Sequence, residues 1–139
     1  MPQPVADFFE SYRAAFERLD APAVVEHFAF PCLITGDGDP VSVLPIGGRD
    51  QGLAVIERLL GTYRTLGVAR ARLLSLTPTA LSPRLALGVV HWALSTGAGE
   101  TLYDFDAAYT LALIDDRLRI TAICHNESPR LRACLARRA

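Results

Sequence analysis

The segment from Val68 to Glu127 constrains the fold of this chain more than any other part of the sequence. It reads as four long strands, because apolar and β-branched residues continue between short turn signals. Those signals are a Pro- and Ser-containing stretch, the Gly97-Ala98-Gly99 turn and the Asp115-Asp116 turn. The pattern predicts strands over 68–76, 84–95, 101–114 and 117–127, joined as an antiparallel meander.

The helical signals all precede this segment. The predicted elements are, in order, a helix over 4–18, a short helix after Asp20, short strands over 32–34 and 41–46, and a helix over 50–66. Asp20 is a good N-terminal cap and Gly67 a good C-terminal cap, while Phe30-Pro31 ends the second helix. Helices followed by a meander predict an α+β fold in a single domain over residues 1–139.

The composition restricts where the protein works. Half of the residues are hydrophobic and the mean hydropathy is +0.23, an apolar excess that predicts a subunit interface. No stretch is long enough to cross a bilayer, and the N-terminus does not resemble a signal peptide, so we expect a cytoplasmic protein without a membrane partner. The net charge of −1 predicts no nucleic-acid partner. We expect the Arg-rich C-terminus to be a solvated tail.

Several chemistries are excluded by residue type and spacing. The 14 basic residues are all Arg, a usage typical of a GC-rich bacterial genome that removes Schiff-base chemistry and the Lys-dependent phosphate loop. Cys32, Cys124 and Cys134 are far apart and odd in number, which predicts neither disulfides nor a zinc site. No motif for a dinucleotide, a metal or another cofactor is present. We therefore predict no metal and no cofactor.

The two hairpin turns predict which side chains share a face of the sheet. If Asp115-Asp116 is a two-residue turn and Ala98 is the centre of its turn, Leu113 faces Leu118 and His91 faces Phe105. The predicted inner face then includes His91, Phe105, Tyr109, Cys124 and Asn126. The predicted outer face includes Trp92, Asp104, Asp106 and Ile123. A bulge in any strand would reverse the assignment beyond it.

The element order resembles the NTF2-like superfamily, including its SnoaL-like and ketosteroid-isomerase-like branches. The resemblance covers about residues 4–127 and rests on pieces such as Phe8-Phe9-Glu10-Ser11-Tyr12 and Asp20-Ala21-Pro22. It implies a cystatin-like cone, in which helices pack on a curved antiparallel sheet around an apolar pocket. It also implies a homodimer packed through the sheets. The carboxylate base of the isomerase branch has no counterpart near Phe30-Pro31.

The polar side chains predicted on the inner face suggest a pocket for a small, largely apolar molecule. The ligand-binding candidates are His91, Tyr109, Asn126, Phe105, Tyr12 and Cys124. Small neighbours such as Ala107 leave room for a ligand beside them.

Two other functions remain open at this point. One is a cofactor-free isomerase, dehydratase or cyclase that uses His91 or His27 with Tyr12 as acid or base. The other is a protein-interaction module without a ligand. The mixed apolar and charged outer face is the predicted surface for a second copy of the chain.

Overall fold

The computed structural model describes residues 2–138, with side chains from Pro4 onward. The elements are α1 (Pro2–Glu17), α2 (Ala21–Val25), β1 (Phe28–Gly36), β2 (Ser42–Ile46), α3 (Arg49–Leu66), β3 (Val68–Ser82), β4 (Leu85–Thr96), β5 (Thr101–Ile114), β6 (Arg117–His125) and α4 (Glu127–Arg138). The predicted order of helices and strands is confirmed up to the end of β6.

The strands form one curved, open six-stranded sheet in the order β2-β1-β6-β5-β4-β3. The meander β3–β6 is antiparallel as predicted. The sheet as a whole is mixed, because β1 runs parallel to β6. The sequence pattern missed this pairing, since parallel neighbours need no local turn to announce them.

The helix boundaries follow the capping residues. Asp20 accepts a hydrogen bond from the Ala23 backbone N–H at 3.2 Å and so begins α2. Gly67 ends α3 in the left-handed conformation with φ of 80°, which a residue with a side chain adopts only at a cost. The end predicted for the second helix was wrong, because β1 already begins at Phe28 and carries Phe30-Pro31 inside it.

The core lies between the inner face of the sheet and the helices. Phe9 of α1 is fully buried, and its ring packs 4.9 Å from that of Tyr109 on β5. Leu111 and Ile120 are also fully buried on the same face. The predicted pair of Leu113 with Leu118 is present, so the turn at Asp115-Asp116 sets the register as expected.

Two bulges then change the register. Ser95 pairs with Thr101 as predicted, but beyond the irregularity Leu94 pairs with Tyr103 and Trp92 pairs with Phe105. The predicted pairing of His91 with Phe105 was therefore wrong, and β4 presents Trp92 to the core.

The second irregularity lies in β6. Leu111 pairs with Ile120, whereas Thr110 pairs with Ala122, so Thr121 is the extra residue. The predicted pairing of Phe105 with Asn126 was wrong for this reason. Beyond the bulge Ile123 and His125 face inward, while Cys124 and Asn126 face outward.

The C-terminal segment is a helix rather than the predicted solvated tail. Helix α4 packs on β5 and buries Cys134. Arg137 donates to the Leu102 carbonyl at 3.2 Å, and Arg138 pairs with Glu100 at 3.0 Å. These contacts hold α4 against the end of the sheet, where it contributes to the cavity described below.

Two glycines in different surroundings, Gly88 and Gly61, provide a test of the packing of α1 on the sheet. A Cβ at Gly88 would lie 2.7 Å from Phe9, whose ring is fully buried, so we expect Gly88→Ala to destabilise the fold by about 1–3 kcal/mol. Gly61 in α3 has open space around the same position. Gly61→Ala should therefore stabilise the protein by about 0.5–1 kcal/mol. Urea unfolding measures the free energy of unfolding of both variants. Equal changes in the two would contradict the close contact of Gly88 with Phe9.

Candidate functional site

A cavity of about 270 Å³ lies between the inner face of the sheet and helices α1, α3 and α4. Its wall is mainly apolar and includes Phe16, Phe28, Trp92, Phe105, Ile123 and Leu131. The polar lining residues near the start of α4 are His125, Glu127 and Ser128, and Ser42 of β2 lies beside them. The cavity therefore has an apolar body and a polar end.

Polar atoms of the aromatic wall form hydrogen bonds with each other. Trp92 Nε1 donates to the Tyr109 hydroxyl at 2.9 Å, and the Tyr12 ring lies 5.9 Å from the Tyr109 ring. Burial raises the pKa of both Tyr12 and Tyr109. These phenols therefore stay neutral, and neither is placed to act as a base.

Glu127 lies on the inner side of the sheet, whereas a strand continuing to residue 127, as predicted, would have placed it on the outer face. It is only 8% exposed and opens α4 directly after β6. Its Oε2 accepts hydrogen bonds from the hydroxyls of Tyr63 and of Tyr103, the latter at 2.8 Å. Among the described residues, its Oε1 has no hydrogen-bond partner. Burial raises the pKa of the Glu127 carboxyl, while the two tyrosine hydrogen bonds act in the opposite direction.

The local sequence carried a signal for this position. Asn126-Glu127-Ser128-Pro129 combines a capping residue, an acidic first turn and an early proline, which is typical of a helix start. Because a helix begins there, Glu127 does not follow the alternation of β6, and its side chain is buried in the fold.

His125 faces inward, in place of its neighbours Cys124 and Asn126, which were predicted on the inner face. Its Nδ1 accepts from the Glu127 backbone N–H at 3.1 Å, so the proton of the neutral ring is on Nε2. Burial lowers the pKa of His125, which keeps the ring neutral near pH 7. No hydrogen-bond partner for Nε2 is present in the described part of the chain.

Gly36 on β1 makes room for this polar end. A Cβ there would lie 3.1 Å from Ser42 Oγ and 3.4 Å from both Ser128 Oγ and His125 Cε1. Three polar side chains from β2, β6 and α4 thus converge around a residue without a side chain.

His91 lies on the outer face between two carboxylates. Its Nδ1 is 2.6 Å from Asp106 and its Nε2 is 2.7 Å from Asp104. The hydrogen bond with Asp106 is the main reason that the pKa of His91 is raised. Asn126 caps this cluster, since its Oδ1 accepts from the Asp106 backbone N–H at 2.7 Å. The placement of His91 and Asn126 in the pocket was wrong, and Cys124 is likewise exposed on the outer face.

His27 is held beside α1, outside the cavity lining. Its Nδ1 donates to the Ala23 carbonyl at 2.8 Å, which leaves Nε2 to accept from the Ser11 hydroxyl at 2.9 Å. Burial lowers its pKa. Of the three catalytic candidates, only Tyr12 lines the cavity, so the structure does not bring His91, His27 and Tyr12 together. Tyr109 and Phe105 line the cavity with Tyr12, and their role in ligand binding stays a prediction.

The side chains present offer hydrogen-bond donors and apolar surface. Within residues 2–138, no group of three or more His, Cys, Asp or Glu side chains is arranged to hold a metal ion. No helix of the described chain has the length and apolar character needed to cross a membrane.

The helices packed on a curved mixed sheet define an NTF2-like protein with a cystatin-like fold. An NTF2-like protein of unknown function from Shewanella oneidensis superposes with a TM-score of 0.73 at 20% identity, covering 91% of this chain and 99% of its own. An NTF2-like protein from Novosphingobium aromaticivorans gives 0.72 at 16% identity, covering 96% and 88%. A protein of unknown function from Nostoc punctiforme gives 0.71 at 9%, covering 90% and 89%.

The family itself is identified by sequence. Residues 3–128 match the model of the NTF2-like protein family DUF6841, and the chain belongs to that family. No curated protein matches it in sequence. These three solved structures are similar in fold at identities of 20% or less, so they say nothing of the ligand.

Proposed function

We propose that this domain binds a small, largely apolar molecule in the cavity between the sheet and the helices. The observation that carries the proposal is a cavity of about 270 Å³ with an aromatic wall and a few polar groups gathered at one end. Sites for small molecules have this composition, and the volume is just below the usual range of about 300–1,000 Å³. A ligand of one or two fused rings fits such a space.

The charges around the cavity favour a neutral ligand. No Arg is among the described residues that line it, so an anion would lack a counter-charge. Glu127 is the one acidic side chain among the described lining residues, and burial disfavours its ionised form.

Catalysis by the acid–base route has less support than binding. His91 and His27 lie outside the cavity, and each already has partners for both ring nitrogens. The lining provides donors, but no side chain placed as a base. A protein-interaction module without a ligand would not need an aromatic cavity with polar groups at one end.

Fluorescence of the only tryptophan provides the test, because Trp92 lines the cavity. Prodan is a neutral naphthalene ketone whose emission shifts to the blue in an apolar site. We expect saturable one-to-one binding, with energy transfer from Trp92 to the probe. Unsaturable binding, or binding without energy transfer, would contradict the proposal.

We also propose that the outer face of the sheet packs against a second copy of the chain in solution. Apolar side chains are exposed across this face, including Leu33 (44%), Val43 (58%), Leu87 (37%) and Val89 (47%). A sheet face this apolar is unusual on a monomer. A cytoplasmic location is part of the same proposal, supported by three free cysteines.

Sedimentation at micromolar concentration tests the dimer. We expect a species of twice the chain mass of 15.1 kDa. Val89→Lys should yield the monomer, because it buries a charge at the centre of an interface that needs about 800 Å² per partner. Leu135→Lys, on the exposed side of α4, is the control and should leave the dimer intact. A monomeric wild type would refute this interface.

A further inference from the structure

The hydrogen bonds at Glu127 determine which of its oxygens can carry a proton. Both tyrosine hydroxyls donate to Oε2, from Tyr63 on α3 and from Tyr103 on β5. When both hydroxyls donate, the two lone pairs of Oε2 are occupied. In this arrangement the proton of the neutral carboxyl is on Oε1, the oxygen without a partner in the described chain.

The neutral form is the one that this environment favours. Glu127 is 8% exposed; the described lining contains no Arg, and burial lowers the pKa of His125, the one histidine in it. Burial is the largest influence on the pKa of Glu127, which is raised. Glu127 lines the cavity and thus offers an O–H donor to a molecule bound there.

A second donor lies beside it. The contact of His125 Nδ1 with the Glu127 backbone fixes the ring proton on Nε2. The hydroxyls of Ser42 and Ser128 converge with the His125 ring around Gly36. The polar end of the cavity is therefore rich in donors and poor in acceptors.

We propose that the ligand carries an uncharged acceptor oxygen, of the ketone, ester or lactone kind, which accepts a hydrogen bond from Glu127 Oε1 at the end of the cavity shared with His125. The hydrocarbon part of the ligand lies against the aromatic wall that contains Trp92. This assignment rests on the proposed function and names the chemical class of its ligand. Neither Glu127 nor His125 occupies a position that the isomerase resemblance implies.

Other head groups fit the site less well. A carboxylate or phosphate would enter a cavity whose described lining has no cation. An ammonium group would bring further donors to an end that already has several, and it would require Glu127 to release its proton.

Four matched naphthalenes test the assignment by calorimetry near neutral pH. They carry an acetyl, an ethyl, an aminoethyl or a carboxylic acid group. We expect acetylnaphthalene to bind about threefold to tenfold more tightly than ethylnaphthalene, because only the ketone oxygen can accept a hydrogen bond from the carboxyl. The amine and the acid should bind more weakly than acetylnaphthalene.

The variant Glu127→Gln shows whether Glu127 acts as a neutral hydrogen-bond donor or as a carboxylate anion. The amide is neutral and of the same shape, with one oxygen for the two tyrosines and N–H donors in place of Oε1–H. We expect the variant to keep the preference for acetylnaphthalene within about threefold. If Glu127 were the counter-ion of an amine, the same change would abolish binding of the amine.

The wild-type pH profile gives the same information without a substitution. The titratable groups facing Glu127 are Tyr63, Tyr103, Tyr12 and Tyr109, all with raised pKa, and His125, whose pKa is lowered. Glu127 is the only carboxylic acid among these groups, so it ionises before the tyrosines as pH rises through its raised folded-state pKa. Affinity for acetylnaphthalene should fall as pH rises in the wild type and stay level in Glu127→Gln.

The outcomes distinguish this inference from the proposed function. Equal affinities for the acetyl and ethyl compounds, tightest binding of the amine with affinity rising with pH, or loss of acetylnaphthalene binding in Glu127→Gln would each overturn the assignment and leave the binding function standing. If none of the four compounds binds, both are overturned.

Discussion

Ala107→Phe is expected to reduce the affinity for Prodan by at least about 100-fold, which corresponds to roughly 2.7 kcal/mol. Ala107 lies on β5 with its side chain in the cavity and is only 2% exposed. A phenyl group added there takes up much of a space of about 270 Å³. The ligand and the new ring cannot both occupy it. Fluorescence titration with excitation of Trp92 measures the loss.

The neighbouring residue provides a matched control. Ala108 is exposed on the outer face, where it pairs with Cys124 and Val89. Ala108→Phe adds the same group to the same strand outside the cavity and should keep wild-type affinity. Retention of Prodan binding by Ala107→Phe, or equal loss in both variants, would show that the probe binds elsewhere.

Glu127→Gln is expected to stabilise the protein at neutral and alkaline pH. The folded-state pKa of Glu127 lies above its ordinary value of 4.5, so the folded protein keeps this proton to higher pH than the unfolded chain does. Its contribution to stability is complete below pH 4.5 and is lost as pH rises through the folded-state pKa. The loss amounts to about 1.4 kcal/mol for each unit of pKa difference.

Glutamine removes that loss because it cannot ionise. Urea unfolding from mildly acidic to alkaline pH should show a falling free energy of unfolding in the wild type and a flatter profile in Glu127→Gln. Glu57→Gln on the exposed face of α3 is the control and should keep the wild-type slope. Parallel profiles for wild type and Glu127→Gln would mean that the carboxyl is ionised at all these pH values.

Much of the fold could be predicted from local signals. Strand β5 has the predicted boundaries, and its inward residues Phe105 and Tyr109 were assigned to the right face. The Asp115-Asp116 turn fixed the register as far as Ile120. The match to the NTF2-like family agrees with the predicted superfamily.

The candidate site was harder to predict, since one extra residue reverses a whole strand. Because of a bulge near Leu102, Trp92 faces inward instead of His91. Because of a bulge at Thr121, His125 faces inward instead of Asn126. Nothing in the local sequence marks either bulge, because both lie within runs that continue the strand pattern. Glu127 was missed for a different reason: the tail was not recognised as a helix that enters the fold.

A crystal structure of the protein with acetylnaphthalene tests the central claim most directly. We expect the naphthalene rings between Trp92 and Phe105, and the ketone oxygen within hydrogen-bonding distance of Glu127 Oε1. Acetylnaphthalene located on the outer face, with the cavity occupied by water or by shifted side chains, would contradict the account.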